Sequence, residues 1–390
     1  MKNSILSRTV IFLSVISFFA DISSELLYPV LPLYLKSIGM GALFIGLLEG
    51  AAEAMAGLSK TYFGKLSDRS GRRMPFVWTG YVLSSFSKAA IGFIVNPIWV
   101  LMMRTSDRLG KGIRTAARDA ILSDEATPET KGAVFGFHRA MDTFGAFMGP
   151  IIALVYLHYH PNQYRNLFIY ALVPAIFVVM ALSMVKEKRH AGKREDGNIF
   201  WNSIMYWKIA SSDYKRIISL VLIFTLMNSS DMFLLLRVKE ITGSDFNSIL
   251  IYIFYNFIFA LTSYQVGILS DKYGKKNIFL WGLFFFSLTY AGMAFATEMW
   301  HFFLLFFVYA LFGSCNEGIV KAWVSNLCQR EDLATAIGFQ ATTQSLASMG
   351  ASLLAGIIWY TMGAKYVFLM SAIVTITLIY FFRRLRNIAS

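Results

Sequence analysis

The sequence predicts an all-α membrane protein of about twelve transmembrane helices, arranged as two pseudo-symmetric six-helix bundles. Three observations predict it. Apolar runs of helical length recur from end to end, Lys and Arg are distributed so as to orient the runs, and a charged motif occurs twice in equivalent places.

Composition sets the class. Of 390 residues, 56% are hydrophobic, 16% aromatic and 15% charged, whereas soluble domains carry roughly a quarter charged residues. That much apolar surface does not fit inside a soluble core. The two cysteines, Cys315 and Cys328, lie in one stretch and read as structural thiols rather than a disulfide framework. No metal or cofactor is called for.

The apolar runs fall at approximately 10–35, 42–63, 75–95, 98–118, 132–157, 166–185, 217–237, 246–266, 277–297, 300–321, 333–359 and 366–382, each near the ~20 residues needed to cross the hydrocarbon core. The first is too long and too acidic for a cleaved signal peptide and is expected to remain as a span. Basic clusters at Lys65 to Arg73, Lys186 to Arg194, Lys272 to Lys276 and Arg383 to Arg386 share one side of the stack. The positive-inside rule makes that side cytoplasmic, with both termini. The formal charge of +13 then serves topology and anionic headgroups, which argues against nucleic acid as a partner. The polar stretch 186–216 reads as a cytoplasmic linker between an N-terminal bundle, 1–185, and a C-terminal bundle, 217–390. Within it Phe200, Trp201, Ile204, Met205 and Trp207 are spaced either for a short interfacial helix or for an aromatic-rich loop.

Gly64–Arg73 (GKLSDRSGRR) returns as Gly267–Lys276 (GILSDKYGKK), each copy following the second run of its half. Fainter echoes keep the same order, Ser23-Ser24-Glu25 with Ser229-Ser230-Asp231 and Gly136-Phe137 with Gly338-Phe339. Duplication of one ancestral unit accounts for all three. In each copy, glycines suit a tight turn, the Asp suits a helix N-terminus and the basic residues suit lipid headgroups. A gating latch of Gly64, Asp68, Arg69, Gly71 and Arg72, mirrored by Gly267, Asp271 and Gly274, is the expected role.

These residues resemble the major facilitator superfamily, whose signature between the second and third helices has the form G-x-L-x-D-R-x-G-R-[RK]. Arg104, Asp107, Arg108, Gly110 and Gly112 resemble its Arg-containing fourth-helix motif, and Gly136, Gly145 and Gly149-Pro150 its exporter pattern in the fifth span. The exporter pattern departs at Ala153-Leu154, where a glycine pair is usual. The stretches at Asp21–Glu25, Asp107–Arg114 and Gly136–Asp142 are similar to a prokaryotic permease group with no settled substrate. The resemblance implies a secondary active transporter working by alternating access as a monomer in the bacterial inner membrane. Proton-coupled export of a small organic solute is the expected activity; uptake, or export of a metal cation, are the alternatives within the fold.

Ionisable side chains in a span cost about 2.5–3.5 kcal/mol on insertion scales, so each needs a partner or a wet cavity. Asp21 and Glu25 lie one turn apart in the first span, and Glu49 and Glu53 in the second. Arg104, Asp107, Arg108 and Lys111 follow in the fourth, and His138, Arg139 and Asp142 in the fifth. They serve either as structural ion pairs or as proton-coupling and substrate groups, with Glu25, Asp21 and Asp142 the preferred proton carriers. Lys88 is expected to snorkel or to pair structurally. The second half is quieter, with Asp231, Glu317 and Lys321 as its main intramembrane charges, while Tyr252 and Asn256 stand where Glu49 and Glu53 do in the first. A membrane enzyme is disfavoured because Gly64-Lys65 lacks the rest of a phosphate loop and the histidines are scattered. Asymmetric halves with hinge glycines suit alternating access better than a passive channel.

Overall fold

The computed structural model describes residues 7–126, 131–185, 206–316, 320 and 333–384. Among them every regular element is a helix. In the first half these are α1 (Arg8–Glu25), α2 (Val30–Ser37), α3 (Ala42–Ser70), α4 (Met74–Ile91), α5 (Pro97–Asp124), α6 (Lys131–Tyr159), α7 (Tyr164–Tyr170) and α8 (Leu172–Leu182). The second half contributes α9 (Ser212–Met227), α10 (Asp231–Thr242), α11 (Asp245–Tyr273), α12 (Lys275–Met293), α13 (Met299–Asn316), α14 (Leu333–Met362) and α15 (Ala364–Arg384).

Nine stretches among the described residues are long and apolar enough to cross a membrane. The other long helices, α4, α5 and α12, bring the spans to twelve. α5 falls short on hydropathy because it carries Arg104, Asp107, Arg108, Lys111 and Arg114; α4 and α12 are rich in Gly, Ser, Tyr and Trp, which score low.

Three spans expected to be continuous are each broken into two helices. The first breaks at Leu26–Pro29, because Pro29 has no N–H to continue the ladder and the chain takes up short-range bonds instead, such as Val30 N to Leu27 O at 3.1 Å. The span at 217–237 breaks at Asn228–Ser230, where the Ser230 hydroxyl accepts from Met232 N and restarts the helix as an N-cap. The span at 166–185 breaks at Ala171, three residues before Pro174, and Ser23 Oγ donates to the Ala171 carbonyl at 3.0 Å. The first two breaks coincide with the Ser-Ser-acid echo of the repeat.

The charged repeat also differs from the expected loop. Gly64–Ser70 and Gly267–Tyr273 are helical, forming the last turns of α3 and α11, both 29 residues long. Each copy makes the same internal bond, Ser67 Oγ to Gly64 O and Ser270 Oγ to Gly267 O, both 2.7 Å. Only at Gly71 (φ +65°) and Gly274 (φ +86°) does the backbone turn through the left-handed region that favours glycine. Asp68 and Asp271 therefore sit on helices rather than in the turn.

By contact the chain forms two compact units, one of Met1–Gly39 with Ala51–Gly197, the other of Met40–Gly50 with Asn198–Ser390. Equivalent helices pair in both. In the first, α1 packs on α6 and α8, and α4 on α5 and α8; in the second, α9 packs on α14 and α15, and α12 on α13 and α15. The first unit has an apolar core of Val10, Leu13, Ile16, Val77, Tyr81 and Leu122, among others. The second is built round aromatic rings, with Phe224, Phe286 and Phe312 mutually in contact at centroid separations of 5.0 to 5.9 Å. Within it the opening turns of α3 seat Gly46 against Gly356 of α14, where a Cβ on Gly46 would come within 3.1 Å of the Gly356 Cα. Of the linker's aromatic and apolar residues, Phe200, Trp201, Ile204 and Met205 lie outside the described residues; Trp207 stacks on Phe339 at 5.6 Å.

Candidate functional site

In the first unit, glycine seams bring charged helix faces together. α1 and α6 run parallel at a constant register. Ser14 Oγ and His138 Nδ1 share a hydrogen bond at 3.3 Å, 124 residues apart, and Asp21 meets Gly145 at the same offset. A Cβ on Gly145 would lie 3.2 Å from that of Asp21, and one on Gly149 would lie 2.6 Å from the Leu26 amide nitrogen. The exporter-like glycines thus permit backbone contact between the two helices. Pro150 follows inside α6, which continues through it.

The seam places Asp142, one turn before Gly145, on the face toward Asp21. His138 Nε2 stands 3.7 Å from Asp142 Oδ1. Asp21 has Asp142, Lys111, Glu25 and Arg114 as its electrostatic neighbours. Asp21, Glu25 and Asp142 are all half-buried and His138 is buried, whereas Arg139 turns outward and is exposed.

α5 is wedged by glycines in the same manner. A Cβ on Gly110 would lie 2.6 Å from Gly80 O of α4, and one on Gly112 would lie 2.8 Å from Ala56 O of α3. This close approach buries Arg104 and Asp107, which pair at 3.4 Å. Ser84 Oγ donates to Asp107 Oδ1 at 2.5 Å, and the Arg104 guanidinium lies 6.0 Å from the Tyr28 ring. Arg108 is half-buried and Lys111 is exposed. Lys88 does not snorkel. It is 3% exposed and donates to Ser24 Oγ at 2.9 Å.

Two cations that the sequence reading did not count as site residues extend the stripe. Arg114 is buried, with its guanidinium 4.2 Å from the Tyr81 ring. Arg118 donates to Ser17 Oγ at 2.8 Å and to Asp119 Oδ1 at 2.9 and 3.0 Å. The signal was the spacing itself, since 104, 107, 108, 111, 114 and 118 keep to one helical face.

The second unit holds fewer charges and more rings. Asp231 opens α10 and accepts a hydrogen bond from the Tyr309 hydroxyl at 2.6 Å. Tyr255 lies 5.3 Å from the Tyr309 ring, and Gly313 leaves room for it, since a Cβ there would lie 3.2 Å from the Tyr255 hydroxyl. Glu49 is 1% exposed in this unit, and Ser230 Oγ donates to it at 3.4 Å. Glu53, one turn on along the same helix, is half-buried. Gln340 Nε2 donates to Gln344 Oε1 at 3.0 Å. Glu317 and Lys321 lie outside the described residues, as does Cys328; Cys315 is buried as a free thiol.

At the charged repeat, Arg73 forms an ion pair with Asp124 at the end of α5. Arg69 and Arg72 are exposed. The sequence profile of the Major Facilitator Superfamily matches residues 13–259 and 217–389, which together take in both halves. The chain belongs to the Major Facilitator Superfamily. An uncharacterized MFS-type transporter of Methanocaldococcus jannaschii is 35% identical over 91% of this chain and 89% of its own length. A homolog of the multi-drug resistance efflux pump PmrA in Lactococcus lactis is 25% identical over 71% of this chain and 70% of its own. Among solved structures, the nucleoside transporter NupG matches with a TM-score of 0.77 at 15% identity, covering 96% of this chain and 98% of that one. At that identity the likeness shows the MFS fold alone. The protein is a multi-pass membrane transporter of this superfamily, and a small-molecule solute is what such a transporter moves.

Proposed function

We propose that the protein exports a small organic solute by alternating access, coupled to proton entry through the carboxylates of its first unit. The observation that carries this reading is the meeting of Asp21 and Asp142 across the α1–α6 glycine seam, with His138 one turn away. Two carboxylates facing one another with an imidazole beside them form a set through which a proton can pass during the transport cycle. Glu25 and Lys111 extend the same set. Arg104, Asp107 and Lys88 are fixed by buried partners and serve as scaffold, as does Glu49. Arg108 and Arg139 remain candidates for cargo or regulatory contact.

Export is favoured over uptake by the likeness to the PmrA homolog and by the glycine pattern of α6. A metal cation is the weaker reading, because among the described residues no group of three or more His, Cys, Asp or Glu could hold one. The rings around Asp231, Tyr255 and Tyr309 suit an amphiphilic organic cargo. Asp68 and Asp271, with their glycines and arginines, are assigned to gating, so Asp68→Asn should slow transport while leaving cargo binding intact. Both termini are assigned to the cytoplasm of a bacterial inner membrane, and the functional unit to the monomer. Reporter fusions at residue 195 and at the C-terminus would then report inside, and one at residue 160 outside.

Proteoliposomes holding the purified protein and a pH-sensitive dye test the coupling. Adding an amphiphilic cation from a drug panel to one side should drive counter-movement of protons that saturates with concentration. Saturable solute flux with no proton movement would overturn the coupling, and a linear dependence on concentration would indicate a channel.

A further inference from the structure

A cavity wholly inside the second unit does not belong to the site above. It is a groove of about 970 Å³ among α11, α12, α13 and α15, near the upper end for small-molecule sites. Its floor is apolar, with Leu311 and the buried Cys315, and its rim carries Trp281 (56% exposed) and Phe284 (47% exposed). Exposed rings are ordinary on a lipid-facing surface. A concave surface with cations at one end only is not.

Lys276 and Arg383 form that end. Lys276, in the first turn of α12, donates from Nζ to the Arg383 carbonyl in the last turn of α15 at 3.5 Å, which holds the ammonium at the groove mouth. The lining runs on along α12 to Phe285, nine residues further and so about 13 Å along the axis. That is close to half of the ~30 Å hydrocarbon core, the depth of one leaflet. The basic end is also the end that the Lys and Arg asymmetry assigns to the cytoplasm, where anionic lipids are concentrated.

From the match of charge, depth and apolar floor, we infer that this groove binds an anionic phospholipid of the cytoplasmic leaflet, headgroup phosphate at Lys276 and Arg383 and acyl chain along Trp281 and Phe284. A soluble phosphate would use only the mouth. A zwitterionic lipid would gain the floor without the net attraction. The site is independent of the cargo and proton assignments, and its occupancy would brace α12 against α15 in the unit that carries the fewer charges.

Thermal unfolding of the detergent-solubilised full chain tests the inference, with added phosphatidylglycerol, phosphatidylcholine or glycerol phosphate. Phosphatidylglycerol should raise the midpoint at the lowest concentration, and Lys276→Gln and Arg383→Gln should each weaken its apparent affinity roughly fivefold. Lys276→Arg keeps the charge and should keep the preference, and Lys365→Gln, outside the groove, should leave it unchanged. Equal stabilisation by phosphatidylcholine, or an equal loss in Lys365→Gln, would overturn the site. Full stabilisation by glycerol phosphate alone would replace the lipid with a free anion. Should the variants not fold, native mass spectrometry of the wild type decides, because equal retention of the two lipids would also sink the proposal.

Discussion

Asp21 on α1 stands so close to Gly145 on α6 that a methyl group on the glycine would begin 3.2 Å from the Asp21 Cβ, and the neighbouring Gly149 presses on the Leu26 backbone in the same way. Backbone cannot retreat as the end of a long side chain can. Gly149→Ala should therefore force the helices apart at a cost of about 1–3 kcal/mol, read as a lower unfolding midpoint. Gly41→Ala meets open space and should leave the midpoint unchanged, which makes it the control.

The two turns of the repeat should not respond alike. Gly71 has φ +65°, a value that asparagine also adopts, whereas Gly274 combines φ +86° with ψ 138°, close to a region populated almost only by glycine. Gly274→Asn is expected to lower the unfolding midpoint more than Gly71→Asn. Equal shifts would show that the surrounding helices, not the local backbone, set the tolerance.

The fold was legible because span length and charge asymmetry are one-dimensional properties, read residue by residue. The breaks at Leu26–Pro29 and Asn228–Ser230 were written in Pro29 and in the Ser-Ser-acid echo, yet hydropathy averages over such short interruptions. Partners were harder. That Lys88 meets Ser24, that Arg114 covers Tyr81 and that Tyr309 serves Asp231 all depend on which helices adjoin, and serine and tyrosine carry no charge to advertise the pairing. Glu49 is a further case, since its spacing from Glu53 says which helix face it takes but not that Ser230 would meet it.

Tyr309→Phe removes the 2.6 Å hydrogen bond to Asp231 while keeping the ring that packs against Tyr255. A hydrogen bond of this length to a carboxylate contributes about 1.5–3 kcal/mol. Tyr290→Phe gives up a 3.4 Å contact with Ser229 Oγ and a hydrogen bond shared with Tyr309, but no bond to a carboxylate. The unfolding midpoint should fall further for Tyr309→Phe than for Tyr290→Phe. The reverse order would place the structural weight on the buried Tyr290 cluster rather than on Asp231.

The Arg73–Asp124 pair bears on how much the charged repeat contributes to stability as opposed to gating. Its side chains are 17% and 36% exposed, and ion pairs in such surroundings contribute about 0–1 kcal/mol. Asp124→Asn should accordingly shift the unfolding midpoint little. If transport nonetheless slows, the pair acts on the conformational cycle; if both are unchanged, it is dispensable.

The proposed place of proton coupling rests on the contrast between the units. Both share the helix pairings of the repeat, but the first unit faces Asp142 toward Asp21 beside Glu25 and Lys111, whereas the described residues of the second gather rings around Asp231. Asp142→Asn and Glu25→Gln each remove a carboxylate with almost no change of volume, so the glycine seam should survive. We expect each variant to lose solute accumulation driven by a proton gradient while retaining solute-for-solute exchange in proteoliposomes, because exchange needs cargo binding and reorientation but no net proton transfer. Asp107→Asn should instead impair both activities and lower the unfolding midpoint, since Asp107 is buried against Arg104 and Ser84. If gradient-driven accumulation persists in both Asp142→Asn and Glu25→Gln, coupling does not reside in this cluster, and Asp231, with Glu317 of the same half, becomes the place to look.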